Sequence, residues 1–535
     1  MLFRAVLLLG LIAGGCACAF AQTQAAGFEQ ASVDSGGMNA AAFFGHLASW
    51  LAMLWHFVVA HYGTVISLLV ISAQIAGFVS AIQAILTART SQGAVAWVVA
   101  LILMPYLAVP AYWVFGRSRF NGYVSLYRRK SAVSAPTIQA ALIHMRAENM
   151  LVTPQFGKPF AIERLAYLPL TRANDAELLI NGDTTYASIF AGIDRAKDYV
   201  LVQFYIIKDD DTGRELLARL AARAREGVRC FVLYDELGSS GLTTRYLRDA
   251  RAAGVKISKF NTRRGRWNRF QINFRNHRKI VIVDGIEAWV GGLNVGDEYR
   301  GLDKKIGFWR DTHMRLAGPV VQCAQASFVD DWHWATSGIP HLEWRPRAAP
   351  GGASRVALCL PSGPSDDIET ATLFFLDAIN AARHRIWIAT PYFVPDEQFI
   401  SALQLAALHG VDVRIIIPDK CDNWLVQLSA WSFIGALESV GIKTFRYMKG
   451  FMHHKIVVVD DDYCTVGTAN FDNRSFRLNF EVTMAFADKD FTTQIVRMLE
   501  NDFAESRLAT AAELRARGFW YRLAVRAAML LAPLQ

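Results

Sequence analysis

The chain has 535 residues, 53% of them hydrophobic, and a formal net charge of +9. That length accommodates two or three domains, and the apolar share is high for a purely soluble protein. The basic surplus suits anionic lipid at least as readily as nucleic acid, and the seven cysteines (16, 18, 230, 323, 359, 421, 464) fall in no zinc-binding spacing and read as core thiols.

Residues 1–21, MLFRAVLLLGLIAGGCACAFA, combine a basic start, an apolar stretch and the site Ala19-Phe20-Ala21. This is the pattern of a signal peptide cut after Ala21; an extra uncleaved helix, or a true start at Met38 or Met53, are the alternatives. An apolar segment, 22–60, follows. No Asp, Glu, Lys or Arg occurs from Ser35 to Ala88 or from Thr90 to Gly116. A run of about 20 apolar residues crosses a bilayer as a helix, so 61–116 is expected to hold two transmembrane helices in a tight hairpin, beginning near Gly63 and Gly93. Arg117, Arg119, Arg128, Arg129 and Lys130 follow, against Arg89 alone in the hairpin loop. That bias places the remainder of the chain in the cytoplasm, whereas a cleaved signal peptide would place it outside.

A polar connector, 117–170, leads to a pattern that occurs twice. The first half, 171–345, runs from LLINGDTTYASIFAGIDRAKDYVLVQFYII through a helical GRELLARLAARAREGV to the strand RCFVLYDELGS. The second, 355–510, runs from LCLPSGPSDDIETATLFFLDAINAARHRIWIATPYFV through FISALQLAALHGV to DVRIIIPDKCD. Helical periodicity alternates with short β-branched runs in both, as in an α/β layer, and RAAPGGAS near residue 350 reads as the linker. The tail, 511–535, has the pattern of an amphipathic helix that touches a bilayer.

Each half ends its pattern on the same signature, His-x-Lys-x4-Asp-x6-Gly-x-x-Asn. The first copy is His277, Lys279, Asp284, Gly291 and Asn294; the second, 176 positions on, is His453, Lys455, Asp460, Gly467 and Asn470. Residues two apart on a strand share a face. His453 therefore projects with Lys455, while His454 points the other way, as Arg278 does in the first copy. Asp284-Gly285 has the composition of a hairpin turn that returns Asn294 towards His277. Asp284 and Asp460 belong to the catalytic motif but sit five residues past the lysines, where a structural role is expected. A carboxylate behind each histidine would fix its tautomer. FWRDTHMRLAG and LNFEVTMAFAD align as the following strand and nominate Asp311 and Glu481, with Glu298 a rival in the first half.

Two histidines, two lysines and two asparagines form a cationic cradle for a tetrahedral oxyanion. There is no acidic cluster for a two-metal phosphodiesterase and no G-x-x-x-x-G-K-[ST], so no metal and no cofactor are expected. Covalent catalysis on a phosphodiester fits: one histidine attacks phosphorus while the other handles the proton. Before His277, RRGRWNRFQINFRNHRK interleaves six arginines (263, 264, 266, 269, 275, 278) with Trp267, Phe270 and Phe274. That mix suits an anionic membrane interface, and also single-stranded nucleic acid.

The duplicated motif resembles the phospholipase D (HKD) superfamily. Two apolar N-terminal helices before two such halves, with AWVVALILMPYLAVPAYWVFGR, YIIKDDDTGRELL, RNHRKIVIVDG, GGLNVGDEY, FWRDTH and LLAPLQ, resemble the bacterial cardiolipin synthases over roughly residues 63 to 535. The resemblance implies two tandem α/β sandwich halves sharing one active site, behind a transmembrane hairpin in the inner membrane. It implies condensation of two phosphatidylglycerols to cardiolipin and glycerol, His277 as the nucleophile, membrane lipid as partner and no nucleic acid. Gly292 departs from the serine of many superfamily members; Thr468 keeps a hydroxyl at the matching place, and the Gly292 N–H is expected to serve instead. A hydrolytic phospholipase D, a tethered nuclease and a lipid-binding protein without activity are the rival readings, and phosphatidylethanolamine is a rival donor.

Overall fold

The computed structural model describes residues 60–88, 90–116, 135–152, 161–260 and 273–532, with Ser49, Trp50, Met53 and His56. The signal-like segment 1–21, nearly all of 22–60, the basic cluster after Gly116 and the run from Arg263 to Phe270 lie outside the described residues. The chain divides into two compact units, Met1–Arg117 and Ser118–Gln535.

In the first unit, Tyr62–Thr87 is a 26-residue uncharged helix, about 39 Å long at 1.5 Å per residue. It is the one helix among the described residues long and apolar enough to cross a membrane. The second expected span is instead two shorter helices, Ser91–Leu103 and Pro105–Phe115. Pro105 lacks the N–H that would continue the ladder and takes the first position of a new helix. Thr90 caps the first of these by accepting the Gly93 N–H at 3.1 Å. Gly77 admits the Leu101 carbonyl where any side chain would collide, and the Trp113 indole donates to Ser80 Oγ at 3.2 Å.

The second unit is built on one 16-stranded sheet. Strands Tyr199–Phe204, Arg229–Asp235 and Lys256–Phe260 run parallel in the first half, and Arg385–Ala389, Asp412–Pro418 and Lys443–Tyr447 do so in the second. Antiparallel hairpins, Ile280–Val283 with Glu287–Gly291 and Ile456–Val459 with Tyr463–Gly467, flank them. The first strands of the halves, Thr171–Ile180 and Arg355–Ser362, pair antiparallel and fuse the two sheets. Strands Ile280–Val283 and Ile456–Val459 are buried on both faces, and their sequences, IVIV and IVVV, are continuously apolar.

Alternation then sorts the layers. Ile280, Ile282, Ile456 and Val458 face a central core shared by both halves, which includes Phe328 and Trp332 of helix Val320–Thr336 and Ile495 and Leu499 of helix Lys489–Ala504. Val281 and Val283 face an outer core of the first half, and Val457 and Val459 that of the second. The stretch read as a connector contributes Met145 and Met150 to the central core.

Two minor pairings position the motif histidines. The two-residue strand Arg275–Asn276, just before His277, pairs parallel with Asn479 and Phe480 of the other half. Its counterpart Phe451–Met452, just before His453, pairs parallel with Trp309 and Arg310. The pattern has a pseudo-two-fold symmetry, and each histidine is handed to the opposite half.

Candidate active site

The His277 N–H bonds the Phe480 carbonyl at 2.9 Å, and the His453 N–H bonds the Arg310 carbonyl at 2.7 Å. The next residue of each host strand is a carboxylate. His277 Nδ1 therefore lies 2.9 Å from Glu481 Oε2 and 3.0 Å from Oε1, and His453 Nδ1 lies 2.8 Å from Asp311 Oδ2. Asp311 and Glu481 do stand behind the histidines, but crosswise: alignment within each half had paired them the other way. Glu298, the rival, is bound to Lys208 Nζ at 2.5 Å.

An ionised carboxylate on Nδ1 keeps the proton there and leaves Nε2 with its lone pair. Burial pushes both imidazoles down to about 4. Burial alone would raise Asp311 and Glu481, but the facing histidines and lysines outweigh it and hold both carboxyls below their ordinary range. These shifts favour neutral imidazoles facing ionised carboxylates.

Lys279 Nζ donates to the His277 carbonyl and Lys455 Nζ to the His453 carbonyl, each at 2.7 Å. Lys455 Nζ also lies 2.8 Å from His453 Nδ1. Burial lowers Lys279 to about 7 and Lys455 to about 8, partly offset by Glu481 and Asp311. The charge of Lys455 bears on His277 and that of Lys279 on His453, so the four side chains form one electrostatic centre.

His454 and Arg278 face the central layer. His454 Nδ1 is 2.7 Å from Thr312 Oγ1, and its Nε2 is 3.1 Å from Asp502 Oδ2 on helix Lys489–Ala504. Arg278 donates to Asp331 at 2.9 Å on the matching helix Val320–Thr336. Asp284 and Asp460, counted in the catalytic motif, are not at the centre. Asp284 accepts the N–H groups of Lys197, Asp198 and Tyr199, all at 2.8 Å, and Asp460 those of Arg383, His384 and Arg385 at 2.7–3.1 Å. Both carboxylates staple the far end of the hairpin to the neighbouring strand.

The remaining motif residues divide unequally. Gly291 and Gly467 lie where the adjacent strand's backbone leaves no room for a Cβ. The Asn294 carboxamide is taken up by Ile206 N–H and Tyr299 OH, each at 3.2 Å. Asn470 leaves its buried carboxamide oxygen without a partner among the described residues. Thr468 Oγ1 donates to Glu481 Oε2 at 2.6 Å. At the matching Gly292 a Cβ would overlap the Asp311 carboxylate, and the Gly292 N–H goes to the Thr312 carbonyl at 2.9 Å. The expectation that this N–H replaces the missing hydroxyl is therefore corrected.

Sequence reasoning passed over the aromatic walls. Tyr205 stands edge-on to His277 with ring centroids 5.0 Å apart, and Trp309 lies 5.1 Å from His453. Tyr392 also flanks His453, and its hydroxyl is held by Asp422 at 2.7 Å. The only signal was their place in QFYIIK, FWRD and TPYFVP, directly beside the motif strands.

The family model described as "Cardiolipin synthase, PLD-like domain" matches residues 189–331 and 375–503, one match on each half. A model described as "Phospholipase_D-nuclease N-terminal" matches 74–117. The sequence is 44% identical over 469 residues to cardiolipin synthase A of Pseudomonas putida strain GB-1, covering 86% of this chain and 96% of that one. The chain belongs to the cardiolipin synthase family. A second relative of that name, from Pseudomonas aeruginosa strain LESB58, is 45% identical over 480 residues, 88% of this chain and 96% of its own. Like them, this member of the family is an enzyme of the phospholipase D superfamily. Its fold resembles that of phosphatidylserine synthase from Haemophilus influenzae Rd KW20, with a TM-score of 0.51 at 15% identity, over 67% of this chain and 95% of that one.

Proposed function

We propose that this enzyme condenses two phosphatidylglycerols into cardiolipin and glycerol through a phosphatidyl-histidine. The observation that carries the proposal is the pair of imidazoles whose Nδ1 atoms are held by carboxylates, which leaves both Nε2 atoms for chemistry. His277 Nε2 attacks phosphorus of the first lipid. The bond to the headgroup glycerol breaks, and that oxygen leaves with a proton from His453, which is charged once the phosphate anion sits beside it. His453 then takes the proton from a headgroup hydroxyl of the second phosphatidylglycerol. That oxygen attacks phosphorus, the P–N bond breaks, and His277 is restored.

Lys279 and Lys455 neutralise the phosphate oxygens as point charges, and Asn470 supplies the amide of the cradle. Membership of the cardiolipin synthase family supports lipid rather than water as the acceptor. The apolar helices between residues 61 and 116 anchor the chain as a hairpin, and the basic cluster after Gly116 keeps the catalytic unit in the cytoplasm.

The test is to reconstitute the protein into phosphatidylglycerol vesicles and identify products by mass spectrometry. Cardiolipin with an equal amount of free glycerol is expected. Phosphatidic acid as the main product would make the enzyme a hydrolase, and turnover only after adding phosphatidylethanolamine would change the donor.

A further inference from the structure

Helix Phe519–Leu530 is apolar on two opposite sides, and the fold uses one of them. Its inner side carries Tyr521, Val525, Ala528 and Met529, the spacing of a helical stripe. Val525 is 0% exposed and packs with Trp431 and Ile434 of helix Trp424–Glu438, and the Ser432 hydroxyl donates to the Val525 carbonyl at 3.3 Å. The outer side carries Phe519, Leu523 and Leu530, which are 62%, 47% and 80% exposed, with Trp520 at 78% on the flank. A surface helix of a soluble domain places polar residues there.

Charge decides what covers this stripe. Arg515, Arg517, Arg522 and Arg526 belong to the segment, and no Asp or Glu follows Glu513. Arg522 and Arg526 are exposed and sit along one edge of the outer stripe, while Arg517 lies over the Tyr521 ring. A second copy meeting this face across a two-fold axis would set arginines against arginines. The apolar run Thr90–Gly116 offers no carboxylate to receive them. An anionic bilayer satisfies both features, since tryptophan and phenylalanine suit the interface and arginines suit lipid phosphates.

We propose that Phe519–Leu530 lies in the headgroup layer of an anionic bilayer. Phe519, Leu523 and Leu530 enter the acyl boundary, and Arg522 and Arg526 engage phosphates. The catalytic unit thus carries its own lipid contact, remote in sequence from the apolar N-terminal helices. This contact does not depend on the reaction proposed above.

The experiment uses the full chain in vesicles of equal parts phosphatidylcholine and phosphatidylglycerol, with p-benzoylphenylalanine in place of Leu523 or, as control, of the exposed Leu408. After irradiation, the Leu523 probe should yield a peptide heavier by one phospholipid, with little at the Leu408 probe. Combining the Leu523 probe with Arg522→Glu and Arg526→Glu should lower that yield about fivefold or more, whether or not the protein makes cardiolipin. A cross-link to another copy or to the chain's own N-terminal helices would overturn the proposal. So would equal lipid adducts at both probes, or no adduct at Leu523.

Discussion

His277 draws its carboxylate from Glu481, 204 residues along the chain and 2.9 Å away in space. His453 draws its own from Asp311, so a lesion in one half should register as a defect in the other half's histidine. Glu481→Gln should remove the covalent label from the His277 peptide when labelled phosphatidylglycerol is quenched without acid. A loss of about 10³-fold or more is expected, by comparison with other carboxylate–histidine pairs. Asp311→Asn should slow both formation and decay of that label. The opposite assignment, with Asp311→Asn abolishing label and Glu481→Gln prolonging it, would reverse the roles of the histidines.

Thr468 and Gly292 occupy matching positions but should not tolerate exchange. Thr468→Val removes the hydroxyl bonded to Glu481 at 2.6 Å, a contact to a charged group with a weight of about 1.5–3 kcal/mol, or roughly 10–100-fold in turnover. Gly292→Ser adds the hydroxyl found in many superfamily members, yet its Cβ overlaps the Asp311 carboxylate. Activity measured on folded protein should fall further than for Thr468→Val. A Gly292→Ser variant of full activity would show that Asp311 has room to move.

Residues in or beside the motif whose side chains are turned away from the centre should affect stability. Asp284→Ala deprives three backbone N–H groups of their acceptor, and His454→Ala leaves Thr312 and Asp502 short of a buried partner. Each is expected to lower stability by about 1–3 kcal/mol while turnover per folded molecule is largely retained. Asp284→Asn should be milder, because asparagine tolerates the φ of 52° at this turn. Thermal unfolding beside activity separates the two effects; lost turnover at unchanged stability would place these residues in the chemistry.

The pH profile should be bell-shaped, and its alkaline limb should not reflect unfolding. Below about pH 4 the imidazoles are protonated, and the nucleophile is lost. Above about 7 to 8, Lys279 and Lys455 lose charge, and the phosphate cradle weakens. Stability runs otherwise. Both histidines titrate below their ordinary 6.5 and both lysines below 10.5. The unfolded chain therefore binds more protons in each window, and these groups make stability rise with pH, from about 4 to 6.5 and again from about 7 to 10.5. Activity that falls between pH 8 and 10 while the unfolding temperature also falls would contradict this reading of the lysines.

Much of this architecture is legible in the residues. The 176-position repeat of the motif locates both halves, and alternation along the strands separates His453 from His454. Alignment finds Asp311 and Glu481, but it assigns them to the wrong histidines. The crossing depends on Arg275–Asn276 and Phe451–Met452, strands two residues long, too short to carry any periodicity. Gly292 is similar: its identity is plain, but the destination of its N–H is set by the neighbouring strand. The break in the second apolar span was marked by Pro105, which hydropathy alone ignores.

The crossing also orders events during synthesis. Chains emerge from the ribosome N-terminus first, and leading domains fold ahead of trailing ones. His277 and Lys279 are thus made well before Glu481 exists, and His453 arrives after its carboxylate but needs Trp309 and Arg310 already in place to receive it. Until the strand Asn479–Ala487 has joined the sheet, His277 has no partner on Nδ1. A chain that stalls or is cut short before that strand is left without a matched pair of imidazoles.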